Sequence, residues 1–301
     1  MPVTFSSIRL LLRQIVKSWL GDYVPSMGAA LAYYTLFSLA PLLLIVISVA
    51  GLVFGEDAAR GEIQAQLRSL MGDGGASAVQ DLLASVHKPA EGIAATLVGV
   101  FLLLVGATTV FGELQDSLDR IWRVPAHPLA SGWLGLLRAR LLSFGMILAI
   151  GFLLMVSLVI SAALAMTGRL LEPVFGGWYL VASAASALGG LVMVAVMFAL
   201  IYKVMPRVRV QWKDVWIGAI VTSTLFTLGK LLIGLYIGRS GVVSGFGAAG
   251  SLVVILLWVY YSAQIFLIGA EFTWVYANMF GSRRVGVVPP TPAAPTTPRA
   301  P

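Results

Sequence analysis

Six runs of roughly 20 residues or more carry almost no charge: 27–53, 93–111, 141–166, 180–202, 215–237 and 251–272. A mainly apolar run of about 20 residues crosses a hydrocarbon core about 30 Å thick. No water is available there to bind free N–H and C=O groups, so each run must close its hydrogen bonds within itself, as an α-helix does. The fold class predicted is all-α, a polytopic membrane bundle of six transmembrane helices. Composition agrees: 11% of the 301 residues are charged and 59% are hydrophobic, against about 25% charged in soluble domains.

Basic residues orient the bundle, because lysine and arginine in short loops are retained on the cytoplasmic side. With the N-terminus inside, Arg60, Arg68, Lys88, Arg169 and Arg239 fall on outer loops and Lys230 falls within the fifth run. The remaining fourteen of the 20 basic residues fall on inner segments. Both termini are therefore expected in the cytoplasm. The net charge of +7 then reads as topology and attraction to anionic headgroups, with membrane lipids and not nucleic acid as the partner. The first apolar run is too long for a signal-peptide core, so the chain is expected to keep a start at or near Met1. Cysteine is absent, which removes disulfides and thiolate metal sites.

Three segments follow. Residues 1–22 place Ile8, Leu11, Leu12, Ile15 and Trp19 on one helical face and Arg9, Arg13 and Lys17 on another. That is the pattern of a helix lying in the membrane interface, or of a basic flank that only sets topology. Residues 23–280 form the membrane domain, and 281–301, rich in proline without apolar periodicity, form a disordered cytoplasmic tail. Within the loop 54–92, two short amphipathic patterns flank "GDGG", which predicts two helices on the outer face joined by a glycine turn. They cap a cavity or simply cover the ends of the spans.

Chemistry-bearing motifs are few. The two histidines, His87 and His127, fall on opposite sides of the membrane in this topology, and no metalloprotease, phosphate-loop or nucleophile-elbow motif occurs. No catalytic residue, metal or cofactor is expected. Attention passes to polar groups within the membrane, where a charge costs about 2.5–3.5 kcal/mol and marks function by default. Lys230 lies roughly 22 Å from the inner end of the fifth run at about 1.5 Å per residue. Either its amine snorkels to the outer surface or it faces a hydrated interior and holds an anion. Tyr33, Tyr34 and Gln264 are the polar groups expected to line such a site with it. Pro41 removes a hydrogen bond from the first span and predicts a kink or break. Glu113, Asp116 and Glu271 lie near the inner ends of the second and sixth runs. "FGELQDSLDRIWRV", residues 111–124, is either a helix docked at the inner surface or part of a gate.

Four stretches, "GAALAYYTLFSLAPLLLIVISVAG", "FGELQDSLDRIW", "YKVMPRVRVQWKDVWIGAIVTSTLFTLGK" and "GAAGSLVVILLWVYYSAQIFLIGAEFTWVYA", occur in order. Together they resemble the YihY/BrkB family of bacterial inner-membrane proteins over residues 18–277. The resemblance implies a six-span helical bundle with an outer helical loop, and it makes Lys230 of "LGK" and Glu271 of "GAE" the preferred polar sites. The ribonuclease label attached to some members does not fit, because metal-dependent RNA cleavage needs a His/Asp cluster. The expected function is binding or translocation of a lipid or other anionic amphipathic envelope molecule. The alternative is a non-catalytic scaffold for envelope assembly or serum resistance.

Overall fold

The computed structural model describes residues 5–86, 109–125, 178–239, 246 and 249–284. All seven elements among them are helices: α1 (Phe5–Gly21), α2 (Val24–Phe54), α3 (Glu56–Val86), α4 (109–121), α5 (Trp178–Val204), α6 (Trp212–Arg239) and α7 (Gly250–Met279). The all-α expectation holds for these residues. Where six spans are expected, three helices among the described residues are long and apolar enough to cross a membrane: Ala187–Val204 in α5, Trp212–Ile237 in α6 and Gly250–Met279 in α7. The run 27–53 lies inside α2, a helix of 31 residues. The runs 93–111, apart from their last three residues, and 141–166 lie outside the described residues, as do both histidines and the tail beyond 284.

Two boundaries differ from the sequence reading for physical reasons. The sixth run ends at 272 by hydropathy, yet α7 continues to Met279, because Thr273, Val275 and Ala277 are buried and keep the last turns packed. α2 runs unbroken from Val24 to Phe54 through Pro41, so of the kink or break expected there, the break does not occur. The glycine turn is present as read. Gly72 sits at φ 74°, ψ 178° inside α3 and divides it into two helical halves, a conformation glycine adopts at little cost.

α7 is the axis of the bundle, packing against α1, α2, α3 and α6. Its approach to α6 rests on one pattern used twice, a glycine followed four residues later by a threonine: Gly218 and Thr222 on α6, Gly269 and Thr273 on α7. Each threonine hydroxyl donates to the carbonyl of its own glycine at 2.7 Å. The helices run antiparallel, so each threonine seats over the other helix's glycine. A Cβ on Gly218 would lie 2.8 Å from the Cβ of Thr273, and one on Gly269 would lie 2.8 Å from the Cβ of Thr222 and 2.6 Å from the Tyr202 hydroxyl. In lipid, where helix association gains nothing from expelling water, small residues that permit such contact are a main source of affinity.

α5 joins through the same spot. The Tyr202 hydroxyl, fully buried, donates to the Phe266 carbonyl at 2.7 Å and stands 3.1 Å from the Thr222 oxygen. Phe198, Phe226 and Phe266 pack around it with ring centres 5.7–5.9 Å apart. At the far end of α6 and α7, both halves of α3 contribute to a second core, where Met71 and Val79 meet Ile233, Ile237, Val254 and Ile255.

α1 departs from its expected face. Leu11 and Ile15 are buried against Val275 of α7, while Ile8 and Leu12 are exposed. With Val16 and Leu20 they form an uncovered apolar stripe beside Arg9, Arg13 and Lys17, so the helix is apolar on two sides and keeps an interfacial face.

Replacing Gly269 or Gly218 by alanine is expected to destabilise the bundle by about 1–3 kcal/mol through overpacking. The added methyl meets a threonine Cβ, which has no freedom to rotate away. Alanine at Gly190, exposed with nothing within 4 Å of its Cβ position among the described residues, is the control. Thermal unfolding in lipid nanodiscs reads the difference.

Candidate functional site

Exposed apolar residues define a membrane-facing side of α6: Ile220, Leu228, Leu231, Leu232 and Leu235. It is bounded by Trp216 and Tyr236, both exposed. Twenty residues separate these two, about 30 Å at about 1.5 Å per residue, which is the thickness of a hydrocarbon core. Aromatic residues favour its two edges. Lys230 then lies six residues, about 9 Å, inside the Tyr236 edge. It is half-buried, and among the described residues no carboxylate or hydrogen-bond acceptor engages its amine. Gly229 beside it presses against α7, where a Cβ would stand 3.0 Å from the Tyr261 hydroxyl.

One turn further along α7, Gln264 faces α2 instead. Its amide nitrogen reaches the carbonyls of Val24 and Pro25 at 3.4 and 3.5 Å, long for hydrogen bonds, and its buried oxygen has no partner. Gly28 makes room for it, since a Cβ there would come within 3.1 Å of the Gln264 Cδ. Tyr34 on the same helix is half-buried. Tyr33 points outward, 57% exposed, with its ring 4.9 Å from Phe37 and 5.6 Å from Tyr34. Gln264 and Gly28 thus sit at one α2–α7 contact, Gly229 and Tyr261 at the adjacent α6–α7 contact with Lys230 next to it in sequence, and Tyr33 turns away from both. The Pro41 ring lies outside the described side chains.

A second polar cluster occupies the opposite end of the bundle. α4 docks its apolar face there, with Leu118, Ile121 and Trp122 buried in the main core, so the "FGELQDSLDRIWRV" segment is a helix packed on the bundle. Its polar face holds the turn between α5 and α6. Asp119 accepts the Arg207 N–H at 2.8 Å and lies 3.2 Å from the Arg207 guanidinium, while Gln115 donates to the Met205 carbonyl at 3.0 Å. Asp116 is exposed, 3.8 Å from the same guanidinium, and Glu113 is half-buried. Burial holds the Asp119 carboxyl above the usual value, against the lowering pull of the Arg207 N–H and guanidinium.

Glu271 lies in the same region and is fully enclosed, with neither carboxylate oxygen hydrogen-bonded. Asp22, in the turn between α1 and α2, and Arg123, just after α4, are the ionisable groups that act on it among the described residues. The Arg123 guanidinium is 3.7 Å from Asp22 and lies 4.2 Å above the Trp274 ring. Both Arg123 and Tyr23, next to Asp22, have left-handed backbones, with φ of 53° and 58°. Sequence reading places Glu271 near the end of its helix and leaves Asp22 and Arg123 unassigned. The signal within reach is the repeated "GAIVT" and "GAEFT", which marks Glu271 as belonging to a helix in close contact with another.

A cleft of about 510 Å³ lies elsewhere, between the halves of α3 and α2, lined by Ile47, Arg60, Ile63, Gln64, Leu67 and Leu83 among others. None of the expected site residues lines it.

Asp119→Ala strands the Arg207 N–H and is expected to cost about 1–3 kcal/mol, whereas Asp119→Asn keeps an acceptor and costs less. Because the folded carboxyl holds its proton to higher pH than the unfolded one, stability is expected to fall as pH rises from 3.8 through the raised folded value. Asp119→Asn removes that contribution, and chemical denaturation at a series of pH values measures it.

Comparison with known proteins gives a family and several relatives. Residues 15–290 match the family described as "Virulence factor BrkB". A "UPF0761 membrane protein" of Pseudomonas aeruginosa strain LESB58 is 29% identical over 275 residues, covering 90% of this chain and 63% of that protein. A protein of the same description from Tolumonas auensis is 26% identical over 254 residues, 84% of this chain and 80% of its own. One from Verminephrobacter eiseniae is 30% identical over 274 residues, 89% of this chain and 62% of its own. The chain thus spans less than two thirds of the length of the Pseudomonas relatives it matches. No solved structure matches it. Matched by the family over nearly its whole length, and built from helices long and apolar enough to cross a bilayer, the chain belongs to the BrkB family of membrane proteins.

Proposed function

We propose that this protein binds an anionic amphipathic molecule of lipid type in the bacterial inner membrane and passes it between the two leaflets, without catalysing a reaction. The observation that carries this reading is the Lys230 amine. It is half-buried about 9 Å inside the edge of the hydrocarbon at about 1.5 Å per residue, beside an apolar exposed face and without an acceptor among the described residues. A charge kept at that depth requires compensation, and a phosphate or carboxylate headgroup supplies it while the acyl chains lie along Leu228, Leu231 and Leu235. Gln264, Tyr34 and the Tyr261 hydroxyl offer neutral donors and acceptors along the path, and Tyr33 with Phe37 offers an aromatic edge to the entering chain. Asp116 and Glu113 on α4, with Glu271 and Pro41, belong to the parts that shape or gate the path.

Proteoliposomes loaded with a fluorescent anionic phospholipid test this. The wild-type protein is expected to speed exchange between leaflets, Lys230→Ala to reduce the rate about tenfold or more, the effect of losing about 1.4 kcal/mol of headgroup binding, and Lys230→Arg to retain most of it. Equal rates for wild type and Lys230→Ala would rule the mechanism out.

The topology that goes with this reading is six spans with both termini cytoplasmic. Single cysteines introduced at Arg207 and Arg239 in this cysteine-free chain are expected to react with an impermeant maleimide from opposite sides of the membrane, Arg239 from outside. Labelling of both from the same side would overturn the orientation.

A further inference from the structure

The enclosed Glu271 raises a question of charge. Its residue is 0% exposed and both its oxygens lack a donor. The Asp22 side chain that faces it is 19% exposed, and one of its oxygens is also buried without a hydrogen bond. Asp22 and Glu271 interact side chain to side chain, and two carboxylates are two acceptors, so neither satisfies the other while both are ionised. One guanidinium, Arg123, stands at their rim, 52% exposed and 3.7 Å from Asp22. It is held in place over Trp274.

Two negative charges against one partly solvated positive charge leave the enclosed oxygens uncompensated, which a low-dielectric site does not support. Among the described residues nothing else nearby restores the balance. α2 carries no charged residue, and Arg13 and Lys17 of α1 are exposed. Ser18, one turn before Asp22, has a buried hydroxyl without a partner but brings no charge. A metal ion is disfavoured by the adjacent guanidinium.

We infer that Glu271 and Asp22 form a proton-binding site, the two carboxyl groups sharing one proton beside Arg123. A single proton makes one carboxyl a donor to the other, turns two facing acceptors into a hydrogen-bonded pair and leaves one negative charge for the one guanidinium. Among the described residues the partly exposed members of the site are Asp22 and Arg123, so the proton enters and leaves at the α4 end of the bundle. Loss of that proton sets two carboxylates against each other across the contact between the α1–α2 turn and α7, and so drives that turn away from the helix. The inference concerns the occupancy of this site and stands whatever the protein carries.

Infrared difference spectroscopy of the full chain in lipid nanodiscs reads protonated carboxyl groups directly. Near neutral pH the wild-type spectrum minus that of Glu271→Gln is expected to show the carbonyl band of one protonated carboxyl group. Subtracting the spectrum of Asp22→Asn is expected to show the same band moved or lost, because the proton's partner is gone. Should Glu271→Gln fail to fold, Asp22→Asn, at the more exposed member of the pair, supplies the reading alone. No carboxyl band in the wild-type difference spectrum, or a band left unchanged by Asp22→Asn, overturns the inference.

Discussion

The contact between α6 and α7 is the interaction on which the remaining architecture rests. Two glycines leave notches, two threonines fill them from the opposite helix, and each threonine disposes of its own hydroxyl by donating to the carbonyl one turn back. That internal bond matters in lipid, where an unpaired hydroxyl at a helix contact costs free energy. Tyr202 then extends the pair to α5 by donating to the Phe266 carbonyl. Bulk apolar packing makes up the surrounding core, but it fixes neither axial position nor rotation as tightly as a side chain seated over a glycine.

At the α4 end the chain handles three buried carboxylates in three ways. Asp119 accepts a backbone N–H from the α5–α6 turn and faces a guanidinium. Asp214, in the first turn of α6, accepts from the Ser282 N–H at 3.2 Å and the Ser282 hydroxyl at 2.5 Å, tying the start of α6 to the residues after α7. It also profits from the positive end of its own helix. These two are structural ties. Glu271 has neither backbone donor nor hydroxyl, and so stands apart from them in kind.

Much of the fold was readable because bilayer physics leaves few choices. The boundaries of α6, the two helical halves meeting at Gly72 and the amphipathic character of α1 follow from hydropathy, glycine and helical period. The end of α7 was not legible, since a glutamate at 271 reads as an exit into water while the structure encloses it and continues for two further turns. Neither Asp22 nor Arg123 could be paired with Glu271 by spacing, because they are about 250 and 150 residues away in sequence, on separate elements. Each sits at or beside a left-handed residue whose type, tyrosine or arginine, gives no hint of that backbone. The interlocking glycines were hidden for a different reason: small residues are common in membrane helices, and only their repetition with threonine four places on distinguishes these.

The seam between α2 and α7 is made differently from that between α6 and α7. Gln264 reaches the Val24 and Pro25 carbonyls at 3.4 and 3.5 Å, near the outer limit of useful attraction. On the other side of α7 the threonines are seated in their notches. The two sides of this one helix are therefore unequal: towards α6 its position is set by side chains seated over glycine backbone, towards α2 by an amide that reaches two carbonyls at long range.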